Sequence, residues 1–389
     1  GSRHRRRAAD LAWHVVRGRR LLDALLGLPD GGASSRLMVE AAAVLWDGAP
    51  EGLISDPDAR SGVCDPSHTL LGWVFSTSPS PAQALGVATS LPDWFARELL
   101  RGRELADAAS LARSLLGRAP LSLRVVPQRA DREGVLAALS AEGVAAMSSA
   151  LAPFAVTLEG YANVQTLQVW KSGLVDVQDA GSQLVASLAV GDAIIEACAG
   201  AGGKSLAIAA SLPDARVLAC DVRPQALDET RRRAQAQGAQ DRIRLLQIQE
   251  EGRLPKAVRK FGLADTVLVD APCTGSGSLR REPAMRWARS PLEVSQLPTL
   301  QGRILDRFAP QVAPGGRLVY ATCSLFQVEN EAVVRAFLKR EPGFELLPVD
   351  GLLSADALAA VGPSPDGLLR LRPDRHGCDG FFGAVLLRR

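Results

Sequence analysis

The sequence has little of what marks several protein classes. Its 389 residues include four histidines and six cysteines, and Cys64, Cys198, Cys220, Cys273, Cys323 and Cys378 form no C-x-x-C pair. That scarcity argues against a disulfide framework and against a zinc site. No apolar run approaches the ~20 residues of a membrane span, and no secretory h-region is present. Nor does one sign of charge dominate: 45 Lys and Arg against 42 Asp and Glu leave +3, which selects no partner. These absences lead us to expect a soluble, reduced, cytoplasmic monomer that holds no metal and touches no membrane.

What is present suits two or three domains with sizeable cores, since 47% of the residues are hydrophobic. The basic residues cluster: Arg3, Arg5, Arg6 and Arg7 open the chain, Arg17, Arg19 and Arg20 follow, and Arg231-Arg232-Arg233 and Arg280-Arg281 come later. Such runs suit phosphate backbones, or else solvated helix faces. Residues 1–85 read as a helical, alanine- and leucine-rich segment that closes in a Ser/Pro-punctuated linker, FSTSPSPAQAL (Phe75 to Leu85). Residues 86–170 read as a small α/β unit, with helices in LPDWFARELLRG and ADAASLARSLLG, a strand in LSLRVVP and a further helix in ADREGVLAALSAEG. From there to 389 the texture alternates. Strand candidates AIIEAC, RVLACD, IRLLQI, TVLVD and RLVYATC are separated by helix-compatible stretches, which predicts a parallel sheet with helices on both faces. A late pair, FELLPV and GFFGAVLLR, is placed at the sheet edge.

In such sheets ligands sit beyond the carboxyl ends of the strands. The first strand runs into EACAGAGGKS, Glu196 to Ser205, whose glycines let the backbone approach a ligand and whose following helix offers unpaired N–H groups. A phosphate-binding P-loop is excluded, because Cys198 stands where its first glycine is required ahead of Gly203-Lys204-Ser205. A nicotinamide fingerprint fails too, since position 205 is not glycine. Asp221 nevertheless closes the second strand about 20 residues on, where a carboxylate accepts both hydroxyls of a ribose. A nucleoside without an obligatory pyrophosphate, such as S-adenosylmethionine, satisfies both observations; an ordinary tight turn with Asp221 as a helix cap is the plainer alternative.

The fourth strand leads into VDAPCTGSGSLRREPAMRW and the next into ATCSLFQVENE. Asp270, Cys273 and Cys323 therefore leave the same sheet edge as the glycine loop. A single buried cysteine is usually a small hydrophobe, but two at strand exits beside a carboxylate point to chemistry.

These motifs, DAPCTGSG with RREP and a following Trp, ATCS with a downstream Glu-Asn, ACAGAGGKS, and the terminal HGCDGFF, resemble the Sun-type RNA (cytosine-5) methyltransferases from roughly Leu91 onward. The resemblance implies a Rossmann-like S-adenosylmethionine-dependent methyltransferase domain, preceded by a small α/β RNA-binding unit and a short helical segment, an abbreviated antitermination-factor-like domain. It implies formation of 5-methylcytosine, with small-subunit ribosomal RNA as the expected substrate ahead of transfer RNA. Carbon 5 of cytosine is a poor nucleophile until a thiolate adds to carbon 6. The family's pattern casts Cys323 as that nucleophile, Cys273 as the thiol that assists release, and Asp270 as the carboxylate facing the base and the cofactor. By the same carry-over Cys198, Ala199, Gly200, Ala201, Gly202, Gly203 and Lys204 contact the methionine and ribose portions, Asp221 the ribose, and Glu251, or Glu250 beside it, the adenine. Arg124, Arg280 and Arg281 would serve RNA phosphates. The sequence departs from the family at Glu196, where Asp is usual, and at Gly200-Ala201, where Ala-Pro is usual. A DNA cytosine methyltransferase would instead use the Pro-Cys cysteine as nucleophile; the ATCS motif and the lack of a large recognition insertion argue against it. A catalytically inactive RNA-binding or ribosome-assembly protein is the rival from outside the enzymes.

Overall fold

The computed structural model describes residues 2–26, 32–47, 53, 78, 80–160 and 162–389. The chain forms two compact units, Gly1–Arg118 with Leu279–Pro291, and Ala119–Ser278 with Leu292–Arg389.

The first unit is helical. Helices α1 (Ser2–Leu25) and α2 (Ser35–Asp47) pack through Leu22, Met38, Ala41 and Ala42. Helices α3 (Pro81–Thr89), α4 (Asp93–Leu100) and α5 (Leu105–Ser114) follow. Helix α3 begins inside the stretch read as a linker. The Ser80 hydroxyl accepts the Gln83 N–H at 3.2 Å, and Pro81 takes a first-turn position that its fixed φ and missing N–H suit. Residues 75–77 and 79 of that stretch, like Cys64 and Trp73, lie outside the described residues.

Arginines brace this unit from inside. Arg286, fully buried, donates to the carbonyls of Arg17 (2.7 Å), Leu115 (3.2 Å) and Pro283 (3.0 Å). Burial lowers its pKa to about 10. Arg20 reaches the Leu91 carbonyl and pairs with Asp93 at 2.6 Å, and Arg17 donates to the Arg280 carbonyl at 3.2 Å. Arg17 and Arg20 are thus buried braces rather than part of a phosphate-facing run. The side chains of Arg3, Arg5, Arg6 and Arg7 lie outside the described residues.

The second unit holds two sheets. The smaller has strand order β2-β3-β1-β4, antiparallel throughout, from β1 (Leu121–Val125), β2 (Ala146–Ser148), β3 (Ala155–Leu158) and β4 (Val175–Val177). Of these the sequence shows only β1, because strands of three or four residues are too short for a period to register. Leu123 and Val125 share a core with Val156, Leu158 and, from helix α6 (Arg132–Ala141), Val135 and Leu139. The expected boundaries at 85/86 and 170/171 fall inside α3 and inside the short helix Gln168–Lys171. Compactness instead changes after Arg118, and the small sheet shares a unit with the large one.

The large sheet has order β10-β12-β9-β8-β5-β6-β7. Its parallel strands are β5 (Ala193–Glu196), β6 (Arg216–Asp221), β7 (Ile243–Gln247), β8 (Ala264–Asp270) and β9 (Val312–Thr322), each overlapping a run read as a strand in the sequence, with β9 starting five residues earlier than its run. Strand β10 (Phe344–Leu347) lies at the edge, and β11 (Leu369–Leu371) pairs with β12 (Phe381–Arg388). Strand β12 runs antiparallel to β9 and carries β10 outside it, so the late pair does close that edge. Neighbouring residues enter opposite cores: Ile194, Val217, Leu268 and Val319 face one, and Ile195, Leu218, Val267 and Leu318 the other. Burial on both faces is why these strands read as unbroken apolar runs. Helices α7 (Ala180–Ala186), α8 (Gly203–Ser211), α9 (Pro224–Gln237), α10 (Pro291–Phe308) and α11 (Glu331–Arg340) lie between or before the strands. With β5 flanked by β6 on one side and β8 on the other, the strand order reverses at β5/β8, and that switch point opens a crevice at the carboxyl edge. Among the described residues no helix is long and apolar enough to cross a membrane, and no group of three or more His, Cys, Asp or Glu is placed to hold a metal ion.

Candidate active site

A cavity of about 670 Å3 opens at this edge. Its walls include Cys198, Ala199, Gly200, Ala201, Gly203 and Lys204 from the loop after β5, Asp221 from the end of β6, and Asp270 and Cys273 from the exit of β8. Gly202 shapes the loop through its backbone, standing at φ +77° as the N-cap of α8, where a Cβ would collide with Thr230. The Asp221 carboxylate accepts the Gly200 N–H at 2.7 Å and the Arg223 N–H at 2.8 Å, and the Arg223 guanidinium approaches it to 3.1 Å. Burial opposes ionisation of Asp221, but the Arg223 and Gly200 bonds outweigh it and hold its pKa below the usual value.

Of the two adjacent glutamates, Glu250 lines this cavity. Glu251 does not: its side chain is 81% exposed and faces Arg303 at 3.4 Å beside a neighbouring hollow. Of the two glutamates expected on the adenine side, with Glu251 preferred, only Glu250 reaches this cavity. Deeper in, Glu196 accepts from Ser205, and burial raises its pKa to about 7. Burial also pushes the Cys198 thiol up and the Cys220 thiol to about 12.

The residues expected to react converge beyond the loop. Lys204 Nζ pairs with Asp270 at 2.5 Å; burial opposes its charge, yet Asp270 keeps the ammonium pKa above its ordinary value. The Sγ atoms of Cys273 and Cys323 lie 3.2 Å apart. Contact with the Cys323 sulfur, then burial, raises the Cys273 pKa well above that of a free thiol. Two thiols from adjacent parallel strands meet because β8 and β9 are in register, Asp270 opposite Ala321, and both chains break outward at the same level.

The expected RNA contacts fare differently. Arg124 is 1% exposed. It stands opposite Asp176 across β1 and β4, bonds it at 3.2 Å, and also bonds Gln178 and Gln237 at 2.8 Å. Burial lowers its pKa to about 10. A guanidinium so enclosed has no face left for a phosphate, so the expectation at Arg124 is corrected. Arg280 is buried at 7% within the helical unit, which likewise takes it out of solvent, and Arg281 beside it is half-buried. In the third basic run, Arg231 and Arg232 pair with Asp228 and Glu229 one turn back, whereas Arg233 turns inward to Asp176 (2.7 Å) and the Ala201 carbonyl (2.6 Å).

Sequence reasoning missed Asp176, Arg233, Gln301 and Glu329. Arg233 was hidden in a run that looks solvated. Glu329 was visible as the Glu-Asn after the ATCS motif, without a role attached.

A parallel sheet of this order, with a glycine loop, a strand-end aspartate and a cavity at its switch point, is a Rossmann-like fold of the kind methyltransferases use, and the small sheet before it has the ferredoxin-like strand order. The comparisons place it more narrowly. A family model described as 16S rRNA methyltransferase RsmB/F matches residues 184–387, and an RsmF/B-like ferredoxin-like domain model matches 91–165. The Ribosomal RNA small subunit methyltransferase B of Salmonella arizonae is 37% identical over 275 residues, 70% of this chain and 60% of that protein. A methyltransferase homolog from Pyrococcus horikoshii, 25% identical, superposes with a TM-score of 0.65 over 80% of this chain and 100% of its own. NSun6 from the same organism, solved with SFG, shares the fold at TM-score 0.65, 18% identity, and 75% and 97% coverage. The chain belongs to the RsmB/F methyltransferase family. It spans about 60% of the length of the curated relatives it matches.

Proposed function

We propose that the protein methylates carbon 5 of cytosine in small-subunit ribosomal RNA through a covalent thioether at carbon 6. The observation that carries this reading is the thiol pair, Cys273 and Cys323, 3.2 Å apart at the exits of neighbouring strands and beside Asp270. A single nucleophile needs one cysteine. A reaction that must add a thiol to a ring, remove a proton and then expel the thiol uses two groups that exchange protons at short range.

The cavity residues fit S-adenosylmethionine. The volume lies within the range of small-molecule sites, Asp221 stands where ribose hydroxyls donate, and Glu250 offers an acceptor on the adenine side. Arg223, 66% exposed in its side chain, leaves Asp221 for solvent at little cost when hydroxyls replace it. The bound cofactor would supply an electrophilic methyl group.

The chain's own residues then divide the work. Cys323 attacks carbon 6 and forms the C–S bond, which makes carbon 5 nucleophilic. Cys273, 3.2 Å from the Cys323 sulfur and with its pKa raised by that contact and by burial, serves the proton-transfer and release steps. Asp270, fixed by Lys204, faces the polar edge of the base where charge develops. The relatives named for ribosomal RNA support that substrate.

The test is to incubate the protein with methyl-labelled cofactor and either small-subunit ribosomal RNA or transfer RNA, then digest to nucleosides. Label in 5-methylcytosine from ribosomal RNA is expected. Label confined to transfer RNA would overturn the substrate, and label in any other nucleoside, or none, would overturn the reaction.

A further inference from the structure

We propose that Glu329 is the positioning residue of the thiol pair: one buried carboxylate laces the Cys273 loop to the Cys323 loop and sets the distance between their sulfurs. The role of that distance in catalysis rests on the reading above; the distance itself does not.

Glu329 is fully buried, one residue ahead of Asn330, the N-cap of α11. Its Oε1 accepts the Thr274 N–H at 2.9 Å and Gln301 Nε2 at 3.1 Å, and its Oε2 accepts the hydroxyls of Thr274 at 2.6 Å and Ser324 at 2.5 Å. Thr274 directly follows Cys273, and Ser324 directly follows Cys323. Gln301 also donates to the carbonyl of Pro272, on the other side of Cys273, at 3.0 Å. Both reactive residues are therefore flanked by groups tied to the same carboxylate. An ionised carboxylate offers about four acceptor sites, and all are filled by donors.

Glu329 is itself held. Its carbonyl accepts the Tyr320 hydroxyl at 2.5 Å, and Asn330 beside it donates to the Ser324 carbonyl at 2.9 Å while accepting from Thr322 at 2.6 Å. A buried carboxylate is costly unless its acceptors are satisfied. Burial raises the Glu329 pKa, and the Ser324, Thr274 and Gln301 bonds oppose that rise. The charge has a second effect, since it adds to the forces that keep the Cys273 thiol protonated. The same carboxylate thus ties the two loops together and helps to hold the Cys273 proton.

The experiment uses the full chain and diamide, which accepts one hydrogen from each of two thiols and leaves a disulfide. The rate of the Cys273–Cys323 cross-link, read by peptide mass, reports the sulfur separation whether or not methyl transfer is the reaction. Glu329→Gln keeps the bracket, because its carbonyl accepts the two N–H donors and its amide donates to hydroxyls that rotate. It should cross-link within about threefold of the wild-type rate and ionise Cys273 at lower pH, read by iodoacetamide alkylation. Glu329→Ala should cross-link at least about tenfold more slowly and lose kcat by about 100-fold, with the Kd for S-adenosylmethionine unchanged. The double variant Thr274→Val, Ser324→Ala, which removes the hydroxyl donors alone, should slow cross-linking by about threefold even if Glu329→Ala fails to fold. Wild-type cross-linking rates in Glu329→Ala or in the double variant would overturn the proposal, as would loss of cofactor binding in step with loss of cross-linking. Absence of RNA methylation by the wild-type protein, with these cross-linking differences intact, would overturn the proposed function and leave the positioning role standing.

Discussion

The carboxyl edge of the parallel sheet and the first strand of the small antiparallel sheet both carry residues expected to serve function, and they behave in opposite ways. At the edge, Cys198 to Lys204, Asp221, Asp270, Cys273 and Cys323 come together around one cavity and one thiol pair. On the small sheet, Arg124 is sealed between β4 and α9 and bonded to Asp176, Gln178 and Gln237. The difference lies in what each position leaves undecided. A parallel strand's exit places its loop at one edge whatever packs around it. A residue on one face of an antiparallel strand is known only to oppose its neighbours, and whether that face meets water, RNA or another helix is set by elements distant in sequence.

The comparison breaks most visibly at the thiols. Cys323→Ala should lose methylation by about 10^4-fold or more and form no denaturation-resistant RNA adduct. Cys273→Ala should accumulate such an adduct in the presence of S-adenosylmethionine, because attack proceeds and release does not. A denaturing gel with labelled RNA reads both, and an adduct in the first variant with none in the second would reverse the two roles.

Next in size is the anchor of the small sheet. Asp176 accepts from Arg124, Arg233 and Gln237, so Asp176→Ala leaves a buried guanidinium without its counter-ion and should cost about 3–5 kcal/mol in urea unfolding. A loss below about 1 kcal/mol would show the network to be open to water. A smaller effect is expected at the edge from Asp221→Ala, about 1.5–3 kcal/mol of S-adenosylmethionine affinity by calorimetry. Unchanged affinity would remove Asp221 from the ribose site. The smallest effect, and the one that sharpens the comparison most, is none. Arg124→Met should leave the salt dependence of RNA binding unaltered, whereas a phosphate-contacting arginine would lower that slope by about 0.9. A drop of that size would return Arg124 to the RNA interface.

Much of the site was legible because its signals are local. A glycine-rich turn after an apolar run, an aspartate at the next strand's end and cysteines at two further exits survive any choice of packing. Glu250 and Glu251 were not separable in this way: both line the neighbouring hollow and only Glu250 also reaches the main cavity, a difference that a pattern of residue types does not encode. The arginine run of α9 shows the same limit from the other side, with Arg231 and Arg232 paired along the helix surface and Arg233 turned in toward Asp176 and the glycine loop. Pro81 read as punctuation, yet at a helix's first turn the same restriction on φ starts the helix.

By itself the sequence determined the parallel sheet, the order of its strands along the chain, and the residue types brought to its carboxyl edge, since alternation of apolar runs and turn residues acts over a few residues at a time. Only the tertiary structure decided that Cys273 and Cys323 stand 3.2 Å apart, that a glutamate six residues beyond the second cysteine binds both loops, and that Arg124 is an internal brace. Each of these depends on side chains from separate elements meeting at hydrogen-bond distance, and such meetings follow from how the elements pack, which no local pattern contains.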